Sequence, residues 1–241
     1  MASLSDMLGE GGGDLKSPGL GSAIGGGTNK ELMAEARMAL SGSWGMSVVG
    51  YVLYTALILS FSVFVFAASA FVGVVSGLNG GDAETAGSAI SGVAQIFEFF
   101  ISGALVVGFR SFFLGIAQEG EARLELLFTG FQRLWKSFGI YFFYTVFILL
   151  WTMLLIIPGI IAAFRYAMVF FIIADDEDCG AFEALGRSKD MMAGNKWKFF
   201  CLQWRFLWWI LLAIFFTFGI GFLWLVPYMQ TTFAKFYEDV K

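Results

Sequence analysis

The hydrophobic positions of this 241-residue chain form three long stretches that contain no Asp, Glu, Lys or Arg. The stretches cover residues 38–81, 137–164 and 206–234, and they are 44, 28 and 29 residues long. A bilayer core about 30 Å thick is crossed by roughly 20 apolar helical residues, because no water is present there to bind free backbone groups. The pattern therefore predicts a polytopic membrane protein.

Small residues and turn-forming residues interrupt the apolar sequence and divide it into three helical hairpins. The pattern predicts an all-α membrane bundle with about six transmembrane helices, at residues 46–76, 90–116, 138–156, 158–174, 199–218 and 220–236. The hairpins occupy about residues 30–119, 120–178 and 179–241 of one integral membrane domain, residues 30–241. Residues 1–29 are rich in glycine and lack apolar periodicity, so we expect a disordered tail there.

An amphipathic segment that contains glycine and then tryptophan precedes each predicted hairpin, at residues 28–44, 121–135 and 181–197. The first of these segments opens with the capping-box pair Thr28 and Glu31. Helices of this kind lie along the membrane interface, with tryptophan at the depth of the headgroups. The shared order of segments favours a unit repeated three times, and three unrelated hairpins are the alternative.

The basic residues predict the orientation of the spans. Twelve of the fifteen Lys and Arg residues fall on one side of the six spans, and none falls in the opposite turns. Cytoplasmic loops carry the excess of Lys and Arg, so this side is predicted to be the cytoplasm. We therefore expect a multi-pass protein of the inner cell membrane with both termini in the cytoplasm.

Composition removes several classes of function. Histidine is absent from the whole sequence, and no paired carboxylates lie inside the predicted spans, so we do not expect an enzyme. Cys179 and Cys201 do not form a metal-ligand set, and neither a metal nor a cofactor is expected. The net charge of −4 argues against nucleic acid as a partner, whereas membrane lipids are expected partners.

The candidate chemistry is that of charges inside the spans. Arg110 and Arg165 lie about 15 Å from the predicted cytoplasmic edge of their spans, and Arg205 lies about 10 Å deep. A charge at such depth costs at least ~2.5–3.5 kcal/mol on insertion scales, and Glu98 is the one acidic residue well inside a predicted span. The three cations exceed this single acid, and the surplus predicts a site for an anionic phosphate or carboxylate.

Hydrogen-bonding residues accompany these arginines in the sequence. We expect Tyr166, Tyr228 and Gln230 to complete a ligand-binding site with Arg110, Arg165, Arg205 and Glu98. The alternative for Arg110 and Arg165 is that they extend to lipid headgroups or bind carbonyls freed at breaks in the helices.

Four motifs resemble a family of prokaryotic integral membrane proteins known as domain of unknown function 975. They are Ala-Glu-Ala-Arg-Met-Ala-Leu-Ser-Gly-Ser-Trp-Gly (34–45), Ile-Ile-Pro-Gly-Ile-Ile-Ala-Ala-Phe-Arg-Tyr (156–166), Arg-Ser-Lys-Asp-Met-Met-Ala-Gly-Asn-Lys-Trp-Lys (187–198) and Pro-Tyr-Met-Gln (227–230). The resemblance covers about residues 30–239, and the architecture is also similar to the membrane portion of some glycerophosphodiester phosphodiesterases. The family resemblance implies a helical membrane fold and brings no agreed activity.

Two functions from different classes remain open. The first is binding or transport of an anionic or amphipathic molecule, lipid headgroups included, through the intramembrane arginines. The second is a structural or assembly subunit of a membrane complex, with a protein partner or a second copy of the chain and no ligand chemistry of its own.

Overall fold

The computed structural model describes residues 26–154 and 156–241, and within them every regular element is a helix and no strand forms. The helices are α1 (Asn29–Leu40), α2 (Trp44–Leu78), α3 (Ala83–Glu119), α4 (Thr129–Gln132), α5 (Leu134–Leu154), α6 (Ile156–Arg165), α7 (Val169–Asp175), α8 (Ala181–Met191), α9 (Lys196–Thr217) and α10 (Phe222–Val240). A 3₁₀ helix, Leu124–Phe128, precedes α4. The predicted all-α fold is confirmed. Residues 1–25 of the predicted tail lie outside the described residues.

Five helical segments among the described residues are long and apolar enough to cross a membrane: Trp44–Leu78, Glu84–Glu119, Leu134–Leu154, Ile157–Asp175 and Lys196–Thr217. The fourth joins α6 and α7 across the turn at residues 166–168. The sixth predicted span corresponds to α10, which is not among the five because its last turns carry Lys235, Glu238 and Asp239. Six crossings therefore stay a prediction.

The long helices pair as antiparallel hairpins, α2 with α3, α5 with α6 and α7, and α9 with α10. The turns near residues 79–82 and 218–221 lie where glycine and small residues interrupt the apolar sequence. Pro158 lies in the first turn of α6 and does not separate two helices. At this position no intrahelical hydrogen bond is lost, because the N–H groups of a first turn have no partner within the helix. Ring contacts mark the three pairs, with centroids 4.1, 4.8 and 5.6 Å apart in Tyr54–Phe109, Tyr144–Phe170 and Phe206–Tyr228.

The second helices of the hairpins form the centre of the bundle. The C-terminal half of α3 packs against α7 and α10, and Phe112, Phe113 and Phe236 are fully buried there. A helix that is apolar on all sides is stable where other helices surround it or where lipid does. The second helices of the hairpins are surrounded by other helices. Helix α2 exposes Phe64, Phe66 and other large side chains, so it is suited to contact with lipid.

Each amphipathic segment packs along the second helix of a hairpin. Helix α1 buries Leu32, Met33, Ala36 and Leu40, and it lies against α10. The second segment, predicted as one helix over residues 121–135, is instead the 3₁₀ helix followed by the single turn of α4, and it lies against α3. Helix α8 lies against α7. The three hairpins therefore share a packing plan as well as an order along the chain.

Two close backbone approaches explain why the second segment is not a regular helix. A Cβ atom on Gly108 of α3 would overlap the carbonyl oxygen of Leu127, and one on Gly130 would overlap that of Ala104. The segment therefore lies directly on the backbone of α3, without side chains between the two. Such contact fixes the position of this part of α3, which carries Arg110.

The packing of α1 against α10 joins the two ends of the described chain. The backbone N–H of Gly27 donates to Asp239 Oδ1 at 3.0 Å, and Asn29 Nδ2 donates to the carbonyl oxygen of Lys198 at 3.0 Å. Farther along the helices, the Tyr228 hydroxyl donates to the carbonyl oxygen of Met33 at 3.3 Å. The order of these contacts makes α1 antiparallel to α10, and the first hairpin is thereby attached to the third.

Candidate functional site

Arg110 belongs to α3, and its side chain contacts α7 and α10. Its Nη1 donates to Gln230 Oε1, and its guanidinium carbon lies 4.8 Å from the centre of the Phe171 ring. Tyr144 and Tyr54 are near enough to interact with it electrostatically. Its Nε is buried and has no hydrogen-bond partner among the residues that the structure describes. None of the ion pairs among the described residues includes Arg110, so this half-buried cation has no carboxylate partner among them.

A pocket of about 390 Å³ lies beside Arg110. Arg110, Tyr144 and Gln203 supply its polar groups, from α3, α5 and α9. The remaining walls are apolar and aromatic, and they include Val106, Ile160, Phe164, Phe170, Phe171, Phe199 and Phe233. A cation with a few polar neighbours in an apolar chamber suits a ligand that has an anionic group and a hydrocarbon portion.

Arg165 has different surroundings, although it follows phenylalanine just as Arg110 does. It is the last residue of α6, and its carbonyl oxygen accepts a hydrogen bond of 3.0 Å from the Ser188 hydroxyl. Ser188 Oγ also accepts from the backbone N–H of Met168 at 3.3 Å, so α8 closes the turn between α6 and α7. The Nε of Arg165 is buried and has no hydrogen-bond partner within residues 26–154 and 156–241, but Arg165 does not line the pocket of Arg110.

Of the seven predicted site residues, the structure brings Arg110 and Gln230 into contact. Arg205 is exposed on α9, and its Nη1 lies 3.8 Å from Met33 Sδ. Tyr228 accepts a hydrogen bond of 3.2 Å from Arg37 Nε, away from the guanidinium of Arg110. Tyr166 packs on Phe147, with ring centroids 6.0 Å apart. Glu98 lies in a separate cleft. The described contacts therefore join two of the seven residues, and a single site formed by all seven stays a prediction.

Arg110 is the one lining residue of its pocket that the sequence analysis identified, and the residues it missed include the polar Tyr144 and Gln203 and the ring of Phe171. Each lies in an apolar stretch with many similar neighbours, so its spacing alone carries no signal. Gln203 is the partial exception, since a glutamine two residues before Arg205 is unusual in an apolar helix.

Ion pairs collect at the end of the bundle where α3, α7 and α10 finish. Asp175 accepts hydrogen bonds from Gln118 at 3.0 Å and Tyr237 at 2.9 Å, and it pairs with Lys241 at 2.5 Å. The bond to Asp175 raises the pKa of the Lys241 ammonium group. Nearby, a hydrogen bond from Arg187 lowers the pKa of the Asp176 carboxyl. These contacts hold the charged ends of the inner helices together outside the pocket.

Comparison with known proteins gives a family match over the second part of the chain. No curated protein and no solved structure matches the chain. The similarity to the membrane portion of glycerophosphodiester phosphodiesterases stays a prediction. Residues 140–241 match the family described as protein of unknown function DUF975. This match supports the resemblance to that family across most of α5 and all of α6 to α10.

Proposed function

We propose that this protein is a membrane-embedded binding protein for an anionic amphiphile, with the Arg110 guanidinium as the anchor for the anionic group. One observation carries the proposal. Among the described residues, the buried Nε of the Arg110 cation has no hydrogen-bond partner and its guanidinium has no carboxylate partner, and Arg110 lines a pocket whose other walls are mostly apolar. The proposed role is binding or transport without catalysis.

The energetics of a half-buried cation within a membrane helix favour a ligand anion. An ionised side chain in the membrane interior is stabilised by a partner, and most such residues find one within the protein. Gln230 and the Phe171 ring stabilise the positive charge of Arg110 only in part, because an amide oxygen and an aromatic face carry no net charge. A carboxylate or phosphate in the pocket would supply a negative charge and accept a hydrogen bond from the Nε–H of the guanidinium.

The ligand is proposed to be an amphiphile because of the walls of the pocket. Phenylalanine and aliphatic side chains stabilise hydrocarbon, while Tyr144 and Gln203 can hydrogen-bond to an acidic headgroup. A fatty acid presents a carboxylate, and an anionic phospholipid presents a phosphate. Both offer the same charge to Arg110, and they differ in headgroup size.

Native mass spectrometry of the purified full chain tests the proposal. Oleate and phosphatidylglycerol are each added to wild type, Arg110→Gln and Arg205→Gln, with phosphatidylcholine as the zwitterionic lipid. We expect Arg110→Gln to lose bound anion by tenfold or more, roughly 1.4 kcal/mol or more in affinity, and Arg205→Gln to retain it. Preference for oleate or for phosphatidylglycerol identifies the source of the anionic group.

Equal retention of both anions by wild type and Arg110→Gln would overturn the proposal. In that case the structural role of Arg110 would be favoured, together with an assembly subunit that binds no ligand.

We also infer that the end of the bundle that carries the ion pairs faces the cytoplasm, in the inner membrane. Its basic residues include Arg133, Lys136, Arg187 and Lys241, which the contacts of α7 and α10 gather at one end. The positive-inside rule places such an end in the cytoplasm. A cysteine introduced at Asn79, in the α2–α3 turn, should react with an impermeant reagent added outside intact cells. A cysteine at Gln132 should not, and the reverse pattern would contradict this orientation.

A further inference from the structure

A second and larger space opens on the other side of α3. It has a volume of about 660 Å³, compared with about 390 Å³ for the Arg110 pocket, and Val106 borders both. Helices α2, α3 and α5 form this cleft together with Phe128 and Phe131. Its walls are mostly apolar, and large side chains near its mouth, such as Phe64, are exposed on the surface that the hydrocarbon of the membrane covers.

Glu98 is the acidic residue of this cleft. It lies about 22 Å along α3 from Ala83, far from both ends of the helix. Its carboxylate forms no hydrogen bond or ion pair with any residue in the described part of the chain, since the bond from Ser102 reaches the backbone oxygen of Glu98. The cleft therefore holds an acidic group without a cationic partner, which is the converse of the Arg110 pocket.

The walls beside Glu98 have the chemistry that stabilises an organic cation. Tyr54 and Tyr141 line the cleft together with several phenylalanines, and the negative faces of such rings attract cations. Both tyrosine rings are held in place, because Tyr54 stacks on Phe109 at 4.1 Å and Tyr141 packs on Phe99 at 5.1 Å between centroids. A small inorganic cation would lose its water here without gaining enough oxygen ligands.

We propose that the cleft is a binding site for a lipophilic cation, with Glu98 as its counterion. The apolar walls would take the organic groups of the ligand, and the carboxylate would take its charge. An amine or quaternary ammonium compound that partitions into the membrane fits this description. The proposal concerns a site of opposite charge to that of Arg110 and does not rest on the binding of an anion there.

Two hydrophobic ions of nearly equal size and opposite charge test the site in detergent-solubilised full-length protein. The probes are tetraphenylphosphonium, a permanent cation, and tetraphenylborate, its anionic counterpart, with binding measured by isothermal titration calorimetry. Wild type is compared with Glu98→Gln and with Glu84→Gln, whose side chain is exposed in the first turn of the same helix and lies outside the cleft. Arg110→Gln serves as a control for the other pocket.

We expect Glu98→Gln to weaken the binding of tetraphenylphosphonium by about tenfold or more, because the counterion in the apolar cleft is lost. Glu84→Gln should bind it as wild type does. Arg110→Gln should bind it no more weakly, because this variant removes a positive charge near Tyr54 of the cleft, so failure of the anion site would not affect this result. Equal affinity of wild type and Glu98→Gln for tetraphenylphosphonium would overturn the proposal and favour lipid tails as the occupant. Absence of tetraphenylphosphonium binding to wild type, together with a change of oligomeric mass in Glu98→Gln, would also overturn it and would favour a second copy of the chain.

Discussion

Arg110 and Arg165 share a sequence context, each following phenylalanine in the second half of a hairpin, yet the structure gives them different surroundings. Helix α3 continues for nine residues beyond Arg110, to Glu119, so this guanidinium lies among packed helices. Helix α6 ends at Arg165, and the backbone there binds α8 through Ser188. Arg110 lines a pocket and Arg165 does not. A matched motif therefore fixes the position of a residue along a hairpin, while the continuity of the helix decides what the side chain meets.

The largest expected effect concerns the contact that holds α3 in place near Arg110. In Gly108→Ala, the new methyl group would overlap the backbone of Leu127, which cannot move without displacing the 3₁₀ helix. We expect the free energy of unfolding to fall by about 3 kcal/mol or more. Gly92→Ala in the same helix meets no neighbouring atom and should be neutral or stabilising by up to ~1 kcal/mol. Thermal unfolding in detergent measures both, and equal stabilities would show that the close approach does not fix α3.

The second effect separates the two arginines directly. An anionic lipid at 100 times its dissociation constant should stabilise wild type by about 2.7 kcal/mol, which is seen as a rise in the unfolding midpoint. Arg165→Leu should keep this rise, because Arg165 does not line the pocket. Arg110→Leu should abolish it. A loss in Arg165→Leu with retention in Arg110→Leu would reverse the comparison and make Arg165 the anchor.

A smaller effect tests the backbone role of the turn at Arg165. In Ser188→Ala, the carbonyl oxygen of Arg165 and the N–H of Met168 lose the hydroxyl that binds both, in a buried position. Each unmade buried bond costs about 1 kcal/mol or more, so we expect the free energy of unfolding to fall by ~1–3 kcal/mol. Calorimetry of lipid binding should show unchanged affinity. Weaker lipid binding at unchanged stability would instead connect this turn to the pocket.

Much of the helical architecture could be predicted from the sequence, because uncharged stretches, glycine breaks and amphipathic segments are local signals. The helix bounds near Trp44, Thr217 and Phe222 follow from such signals. The second amphipathic segment was predicted less well. Apolar spacing in residues 121–135 favours a helix, but direct contact with the backbone of α3 at Gly108 converts it into a 3₁₀ helix and a short turn. This contact joins residues about 20 positions apart, which no periodicity encodes.

The candidate site was predicted only in part for a related reason. Arg110 stands out as an intramembrane charge, and Gln230 as a polar residue in an apolar region, so both were identified. Their contact depends on how α3 meets α10, and the contribution of Phe171 depends on how α7 enters between them. In a sequence with 29 phenylalanines, composition does not distinguish the one beneath a guanidinium.

The attachment of α1 to α10 has a consequence for the order of folding. During synthesis α1 emerges long before α10, the helix whose surface covers the apolar side chains of α1. At translation rates of 5–20 residues per second, the interval between the two helices is roughly 10–40 s. Until then α1 has the bilayer surface as an alternative place for its apolar face. Synthesis of α10 would move α1 from that surface and attach the first hairpin to the third, so the rate of translation sets the time at which the bundle closes.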